Sequence, residues 1–393
     1  MNPHICEYFV SITDCVLFLY ASFLVGYLLF FVGAARYGKK RKLYPLATHK
    51  HRTVVFIPAY KEDAVIENTV SSFLKQSYPD KLYNIVVIAD QLQLQTLSAL
   101  KKYPITIIPV TFQNSTKAKA LRYAISQLNE NYDIAIILDA DNLVDIDFLE
   151  NINNAYSAGQ IAIQTHRIAQ QPKTNMAILD AASEEINNTI FRAGHVQVGL
   201  SSALIGSGMA FDFELFKEVI MDADENHVGE DKQLEIILMK KRIFIEYMEN
   251  VYTYDEKIAK SAHFFNQRRR WISTQFSNLA LGINGIPQAL RTRNWNYCDK
   301  LLQWTMPSRI VLAGLISLLA IISTCISTSL GVKWITLAVI LFSTLAIAIP
   351  GYLINRKLFK AMFMVPFLFI LMLINHFRLA GADKKFIHTS HGK

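Results

Sequence analysis

Ile134-Ala-Ile-Ile-Leu-Asp-Ala-Asp-Asn142 decides how this chain is read: an apolar run ends abruptly in two carboxylates, Asp139 and Asp141, with one small residue between them. A short β-rich run bounded by polar residues is a buried strand, so both acids emerge at its carboxyl end. That edge is where an open α/β sheet keeps its ligands. Two acids so spaced can meet a hard divalent cation and its bound phosphates, because magnesium takes a few carboxylate oxygens and fills its other positions with water or phosphate. The same residues also describe a strand end running into a helix cap, and only their neighbours separate the two.

Outward from this run, residues 53–57, 84–89, 105–110 and 133–138 are short β-rich runs, with helical stretches at 63–77 and 116–128 between them. The alternation predicts an α/β domain with a mostly parallel sheet flanked by helices. The first strand runs into Ile57-Pro-Ala-Tyr-Lys-Glu62 and the second ends in Asp90, so both open on the edge that carries Asp139. A carboxylate at Asp90 can accept the N–H of a base such as uracil, with the backbone of Pro58, Ala59 and Tyr60 against the nucleoside and Glu62 just beyond; a plain strand-to-helix turn is the alternative. Lys117, at the start of a helix, is placed to meet a diphosphate by charge and helix dipole together, or to be a solvated surface group. Gly229-Glu-Asp231 precedes a helical stretch over 232–241. An acidic pair there is a favourable N-terminal charge, and equally a source of a general base for an attacking hydroxyl, Asp231 first and Glu230 beside it.

Composition sets the context. The 393 residues are 52% hydrophobic and only 18% charged, with a mean hydropathy of +0.22, too apolar for an ordinary soluble enzyme and too polar for a chain wholly in lipid. Residues 16–35 form one bilayer-length apolar run, longer than the core of a signal peptide, and Arg36, Lys39, Lys40, Arg41 and Lys42 follow it. That order predicts a retained anchor with the amino terminus outside and the catalytic part in the cytosol. The formal charge of +8 raises nucleic acid as a partner, but no basic stripe interleaved with exposed aromatics supports it. Cys6, Cys15, Cys298 and Cys325 are scattered and define neither a zinc site nor a disulfide framework.

After Lys260, residues 263–279 carry aromatics and arginines on an amphipathic helix suited to a membrane surface. Within it, Gln267-Arg-Arg-Arg-Trp271 places Gln267, Arg270 and Trp271 on one face, offering an amide, a guanidinium for phosphate and a flat indole for a sugar ring. Three apolar runs follow at 310–330, 334–354 and 361–373, the last broken by Pro366, and Arg356, Lys357 and Lys360 favour a cytosolic loop before it. Three full crossings would put residues 380–393 outside. If the Pro366 run only dips into or lies along the membrane, the tail returns to the cytosol.

Asp90, Asp139-Ala-Asp141, Gly229-Glu-Asp231 and Gln267-Arg-Arg-Arg-Trp271, in this order and spacing, resemble the membrane-integrated family-2 glycosyltransferases, which include cellulose, hyaluronan and chitin-oligosaccharide synthases. The resemblance implies a cytosolic GT-A fold, a nucleotide-diphosphate sugar donor, UDP-sugar by preference, and inversion at the anomeric carbon. It implies that Asp90 holds the base, that Asp139 lies near ribose and diphosphate, that Asp141 ligates Mg2+ or Mn2+ with Asp139 beside it, and that Asp231 is the base. Gln267 and Arg270 would serve the donor, Trp271 would stack under the acceptor sugar, and Gly208, in Gly206-Ser-Gly-Met-Ala210, would let the acceptor approach closely. Phe386-Ile-His-Thr389 resembles a gating segment that folds over the nucleotide, which favours a cytosolic tail. Gln91-Leu-Gln-Leu-Gln95 departs from the small and acidic residues that follow this aspartate in many relatives.

The expected layout is therefore 1–52 anchor and basic segment, 53–259 transferase domain, 260–305 interfacial helices, 306–379 membrane helices and 380–393 tail. The expected setting is an integral protein of the plasma (inner) membrane. Its partners would be a nucleotide-sugar donor, a saccharide or lipid-linked acceptor, the lipid bilayer, and a second copy or an export partner where a polymer path is needed. The expected activity is extension of a polysaccharide or oligosaccharide, favoured by the Gln-x-x-Arg-Trp sequence and the membrane-flanked layout; the alternative is transfer of one sugar to a lipid such as polyprenyl phosphate or a glycolipid. A non-catalytic transporter would need polar groups inside the spans, which are nearly free of charge.

Overall fold

A computed structural model describes residues 3–39, 43–257 and 261–378. Eight strands, β1 (Thr53–Tyr60), β2 (Tyr83–Asp90), β3 (Thr106–Val110), β4 (Ile134–Ile137), β5 (Leu143–Val144), β6 (Ala162–Ala169), β7 (Met209–Asp212) and β8 (Glu246–Asp255), form one sheet in the order β3-β2-β1-β4-β7-β6-β8-β5. The sheet is mostly parallel, as expected, but mixed: β3, β2, β1 and β4 are parallel and so are β6 and β8, while β7 runs antiparallel between β4 and β6, and β5 antiparallel to β8. The parallel block has both faces covered, which is why its strands read as continuous apolar runs. Phe56, Val86 and Ile137 belong to the core on one face and Ile57, Val87 and Ile136 to the core on the other.

The first strand reaches Tyr60, past the turn expected at Pro58. On the β4 side its ladder stops at Phe56 and Ile137, so a proline lacking its N–H is tolerated beyond that point. Helices α2 (Ile66–Phe73), α3 (Leu94–Leu100), α4 (Lys117–Gln127) and α5 (Phe148–Ser157) connect the strands of this half. Thr116 caps α4 by accepting the Lys119 N–H, and so fixes where Lys117 leaves the helix. After β6, α6 (Asn175–Asn187) passes through a π-helical turn, Asn188–Gly194, into the short α7 (His195–Gln197).

The rest is helical: α8 (Phe213–Asp222), α9 (Glu230–Lys240), α10 (Ser261–Gly282), α11 (Ile286–Arg291), α12 (Trp295–Thr305), α13 (Arg309–Ile326), α14 (Thr328–Ala348), α15 (Arg356–Met362) and α16 (Val365–Phe377), with α1 (Pro3–Tyr37) at the start. Three helices are long and apolar enough to cross a membrane, at Ser11–Tyr37, Arg309–Ile326 and Thr328–Ala348. They pack around Leu24, Leu28, Ile316, Trp334 and Leu341, while Ile12, Leu19, Phe30, Ile321 and Val339 face outward and exposed, as lipid-facing side chains would. Asp14 meets Lys333 and Trp334 at the end remote from the sheet, and Arg36 caps the Ile347 and Ala348 carbonyls at the end near it. The run broken by Pro366 is two short helices, α15 and α16, bent by 51°. α15 packs on Ile178 and Ala182 of α6, and Asn375 of α16 donates to the Phe265 carbonyl of α10, so both ends of the pair touch the sheet side of the molecule. Lys40, Arg41 and Lys42, and Phe386 to Thr389, lie outside the described residues.

Candidate active site at the carboxyl edge of the sheet

Tyr60 and Asp90 are register partners at the ends of β1 and β2, and the Lys61 N–H donates to the Asp90 carbonyl at 3.0 Å. Asp90 is 3% exposed, and its Oδ1 is sealed from solvent without a hydrogen-bond partner among the described residues. Burial pushes its carboxyl above the usual aspartate value. Ala59 is buried, Pro58 half-buried, and the Glu62 carbonyl accepts the Val65 and Ile66 N–H groups that start α2. A buried carboxylate oxygen left open at a strand end is a receptor for an N–H donor.

The turn after β4 is built around Asn142. The Asp139 N–H donates to Asn142 Oδ1 at 3.1 Å and to Ser207 Oγ at 3.0 Å, and the Asn142 N–H donates back to the Asp139 carbonyl at 3.1 Å. Asp141 Oδ2 accepts the Glu256 N–H at 3.2 Å, which ties the second acid to the end of β8. Among the described residues no three His, Cys, Asp or Glu side chains converge as a metal cage. Asp139 and Asp141 fit a hard cation that takes the rest of its coordination from phosphate and water, and they do not fit one that needs an all-protein site.

Lys117 is more committed than a lysine waiting for a diphosphate. Its Nζ donates to Asp139 Oδ1 and to the Gly206 carbonyl, each at 2.5 Å, and lies 3.7 Å from Glu230 Oε1. Burial works against its charge, but Asp139 and Glu230 outweigh burial and raise its pKa. One lysine thus joins the β4 turn, the Gly206 loop and the acidic pair.

Gly229 precedes α9 with φ at +110°, a conformation suited to glycine, and a β-carbon there would lie 3.1 Å from Thr274 Cγ2 of α10. The acid pair is in this way pressed against the helix that carries Gln267 to Trp271. Burial is the main force raising the Glu230 pKa, to about 7, with Asp231 and Asp139 adding to it and Lys117 opposing. Arg270 faces Glu230, Asp231 and Asp139; burial lowers its pKa and the three carboxylates resist that. Gln267 Oε1 is sealed without a partner among the described residues. Five sequence-predicted residues, Asp139, Lys117, Glu230, Asp231 and Arg270, are therefore within electrostatic reach of one another.

Two placements differ from expectation. Gly208 is buried in the sheet: a β-carbon would meet Thr165 Oγ1 at 2.3 Å and Thr253 Oγ1 at 2.6 Å, and its carbonyl accepts the Thr165 N–H at 2.8 Å. The close approach it permits is to those threonines, while Gly206 is the glycine facing Glu230 and Asp231. Trp271 does not present both faces, because the Arg268 guanidinium lies 4.4 Å from its ring centre and is ion-paired with Asp180. Sequence reasoning also missed Asn142, Ser207 and Glu235. A polar residue directly after the two acids was the only local signal, and it pointed to Asn142 alone.

Comparisons with known proteins bear on the fold and the family. The mannosyltransferase PcManGT of Pyrobaculum calidifontis, solved with GDP-Man and Mn2+, is 19% identical with a TM-score of 0.57, covering 86% of this chain and 96% of its own. At that identity the likeness is one of fold, and its extent carries it beyond the sheet domain into the apolar helices. Glucosyl-3-phosphoglycerate synthase of Mycobacterium tuberculosis, with Mn2+, UDP and phosphoglyceric acid, is 14% identical with a TM-score of 0.44, covering 61% of this chain and 84% of its own. S. aureus TarS with UDP-GlcNAc is 17% identical with a TM-score of 0.38, covering 57% and 66%. No curated protein sequence matches significantly. The family described as glycosyltransferase like family 2 matches residues 51–274, more than half of the chain, so this protein belongs to that family.

Proposed function

We propose that the chain moves a sugar, with inversion and in a metal-dependent reaction, from a nucleotide-diphosphate sugar to a hydroxyl of a lipid-linked acceptor at the membrane. The observation that carries the transfer is the meeting of Lys117, Asp139, Glu230, Asp231 and Arg270 at one sheet edge in a family-2 chain. Asp90 takes the N–H edge of a base such as uracil, with the β1 end against the nucleoside. Asp139 and Asp141 would hold Mg2+ or Mn2+, which would supply positive charge to the diphosphate. Asp231, the more accessible of the two acids with 19% of its side chain exposed, takes the proton as the acceptor oxygen bonds to the anomeric carbon from the face opposite the leaving group. The C–O bond to the nucleoside diphosphate breaks, and Arg270 meets the negative charge that grows there.

The acceptor assignment rests on two points. The interior between α1, α13 and α14 is filled by Trp334 and its apolar neighbours, so one copy has no polymer path there among the described residues. An ionised phosphate nucleophile would need no base, whereas a sugar hydroxyl does, and an acid pair is present. We place the catalytic domain in the cytosol, the three spans in the plasma (inner) membrane, and the α15–α16 pair along its cytosolic face. Extension of a polysaccharide is the second reading, and it calls for a second copy or an export partner. Incubating the purified chain with nucleotide sugars, Mg2+ or Mn2+ and membrane lipid, and reading nucleoside diphosphate release with product mass, tests both: one added sugar supports the proposal, and a ladder of masses supports the polymer. Asp231→Asn should abolish transfer while donor binding is kept; retained turnover removes Asp231 as the base.

A further inference from the structure

Behind the active site, α6 borders a buried ionic cluster in which positive charge is in surplus. Glu184 is shared by Arg167 at 3.2 Å, Arg192 at 3.3 Å and Lys257 at 3.8 Å; Asp255 serves Arg167 and Lys257; Asp180 pairs with Arg268. Arg309 adds a further cation and brings no carboxylate of its own. Its Nη1 donates to Asn187 Oδ1 at 2.5 Å and its Nη2 to the Ser183 carbonyl at 3.1 Å and hydroxyl at 3.2 Å, all neutral groups, and no carboxylate is within ion-pair distance among the described residues. Its charged neighbours are Arg268 and Arg192, which repel it, and Glu184, which attracts it from beyond ion-pair distance but is already shared by three other cations. Capping the last turn of α6 accounts for the Ser183 carbonyl but not for a guanidinium held beside two others. Arg309 is half-buried, and a guanidinium partly withdrawn from water beside two others is a receptor for an anion.

The location says what kind of anion. Arg309 is the first residue of α13, a helix long and apolar enough to span a bilayer, at its sheet-side end, where lipid headgroups lie. Arg268 is on α10, next to Gln267 and two residues from Arg270. An anion between Arg309 and Arg268 is thus both at headgroup depth and beside the transfer site. We propose that Arg309 and Arg268 seat the phosphoryl group that joins a lipid to the accepting sugar. Guanidinium forks suit this chemistry, since they match phosphate oxygens in paired hydrogen bonds. The inference rests on the lipid-linked acceptor reading and narrows it, from glycolipids in general to those with a phosphoryl linkage.

Binding can be tested without turnover, on the full chain in detergent, with dodecyl phosphate as the probe and dodecanol and inorganic phosphate as controls. Thermal stabilisation by dodecyl phosphate well above both controls is expected. Arg309→Met should weaken that binding by roughly 30-fold or more, the lower end of the scale for losing one partner of a buried charge pair. Asp180→Asn, which releases Arg268 from its carboxylate, should strengthen it, a gain that misfolding cannot imitate. Equal stabilisation by inorganic phosphate would make the site one for free phosphate and overturn the lipid assignment. Stabilisation no greater than with dodecanol, or unchanged in both variants, would overturn the site itself. The transfer reading is judged separately, by metal-dependent nucleoside diphosphate release from the wild-type chain without any phosphoryl lipid.

Discussion

Glu235→Gln probes how the acid pair is held. Glu235 follows Asp231 by one helical turn on α9 and is 0% exposed. Its carboxylate lies 2.9 Å from Lys300 Nζ, on the fully enclosed side of α12, and 3.2 Å from Lys232 Nζ, and it accepts the Leu204 N–H at 3.0 Å. Glutamine keeps the shape and the acceptor for Leu204 but removes the negative charge that Lys232 and Lys300 share. Breaking a buried pair in this way costs roughly 3–5 kcal/mol. Lys232, with 27% of its side chain exposed and 3.9 Å from Asp231 Oδ2, can turn to that neighbour and recover part of the loss; Lys300 keeps the amide oxygen, Gln303 Oε1 at 2.9 Å and the nearby charge of Asp299. The expected destabilisation is therefore at the lower end, about 3 kcal/mol. Capture of Lys232 by Asp231 also engages the carboxylate proposed to take the acceptor's proton, so the rate of transfer should fall. Denaturant unfolding in detergent and the rate of nucleoside diphosphate release measure the two effects. Glu235→Gln/Lys300→Met removes the stranded cation and should regain most of the stability. A single variant losing less than about 1 kcal/mol, the scale of an exposed pair, or a double variant no better than the single, would refute the reasoning.

Asp141→Ala should weaken donor binding only when metal is present, and an unchanged metal requirement by calorimetry would remove Asp141 from the metal site. Glu230, raised from 4.5 to about 7 when folded, adds a pH dependence of known sign. Its carboxyl binds protons more tightly folded than unfolded, so the metal-free protein is favoured below pH 4.5 and loses that stability as pH rises through about 7. Glu230→Gln should flatten the fall, and melting temperatures at pH 5 and pH 8 that decline in parallel for both proteins would contradict the burial argument.

The acidic motifs were legible because chemistry at a strand end restricts residue type. Asp90 and Asp139 each close a run of apolar residues, and a parallel block must bring such ends to one edge. The other half of the sheet was not legible. β7 has four residues, β5 has two, and β8 carries Glu246, Glu249, Asn250 and Asp255 within a strand whose period is broken by the shift between Thr165 and His166 of its partner. Length and alternation, the signals of a strand, are both weak there. Lys117 was expected to face a diphosphate, and its contact with Asp139 was not foreseen, since a helix start looks the same whether it faces a ligand or a carboxylate. Glu235, Lys300 and Arg309 were invisible because their meaning lies in partners on other helices: Arg309 reaches Ser183 across 126 residues.

One such set of partners changes how the amino-terminal span is understood. Tyr27 of α1 donates to Asp299 Oδ1 at 2.7 Å, and its hydroxyl lies 2.9 Å from Nε2 of the fully buried His195, whose ring is stacked 3.7 Å from Phe31. His195 Nδ1 is 2.6 Å from the Ile190 carbonyl, so Nδ1 carries a proton and Nε2 is left to accept from the Gln303 amide, 2.9 Å away, when the ring is neutral. Gln303 also holds Asp299 at 2.7 Å and Lys300 at 2.9 Å, and Lys300 leads through Glu235 and Lys232 to Asp231. From Tyr27 to Glu235 the links are polar contacts among buried or half-buried groups, which makes that part of the chain stiff, while the last step, from Lys232 to Asp231, is a looser 3.9 Å contact between partly exposed groups. The span is therefore joined to the helix that presents the acid pair, and the π-helical turn before His195 is where the backbone adjusts to make the junction. An anchor that only tethered the domain would need none of these groups. Their presence argues that α1 is part of what positions Asp231.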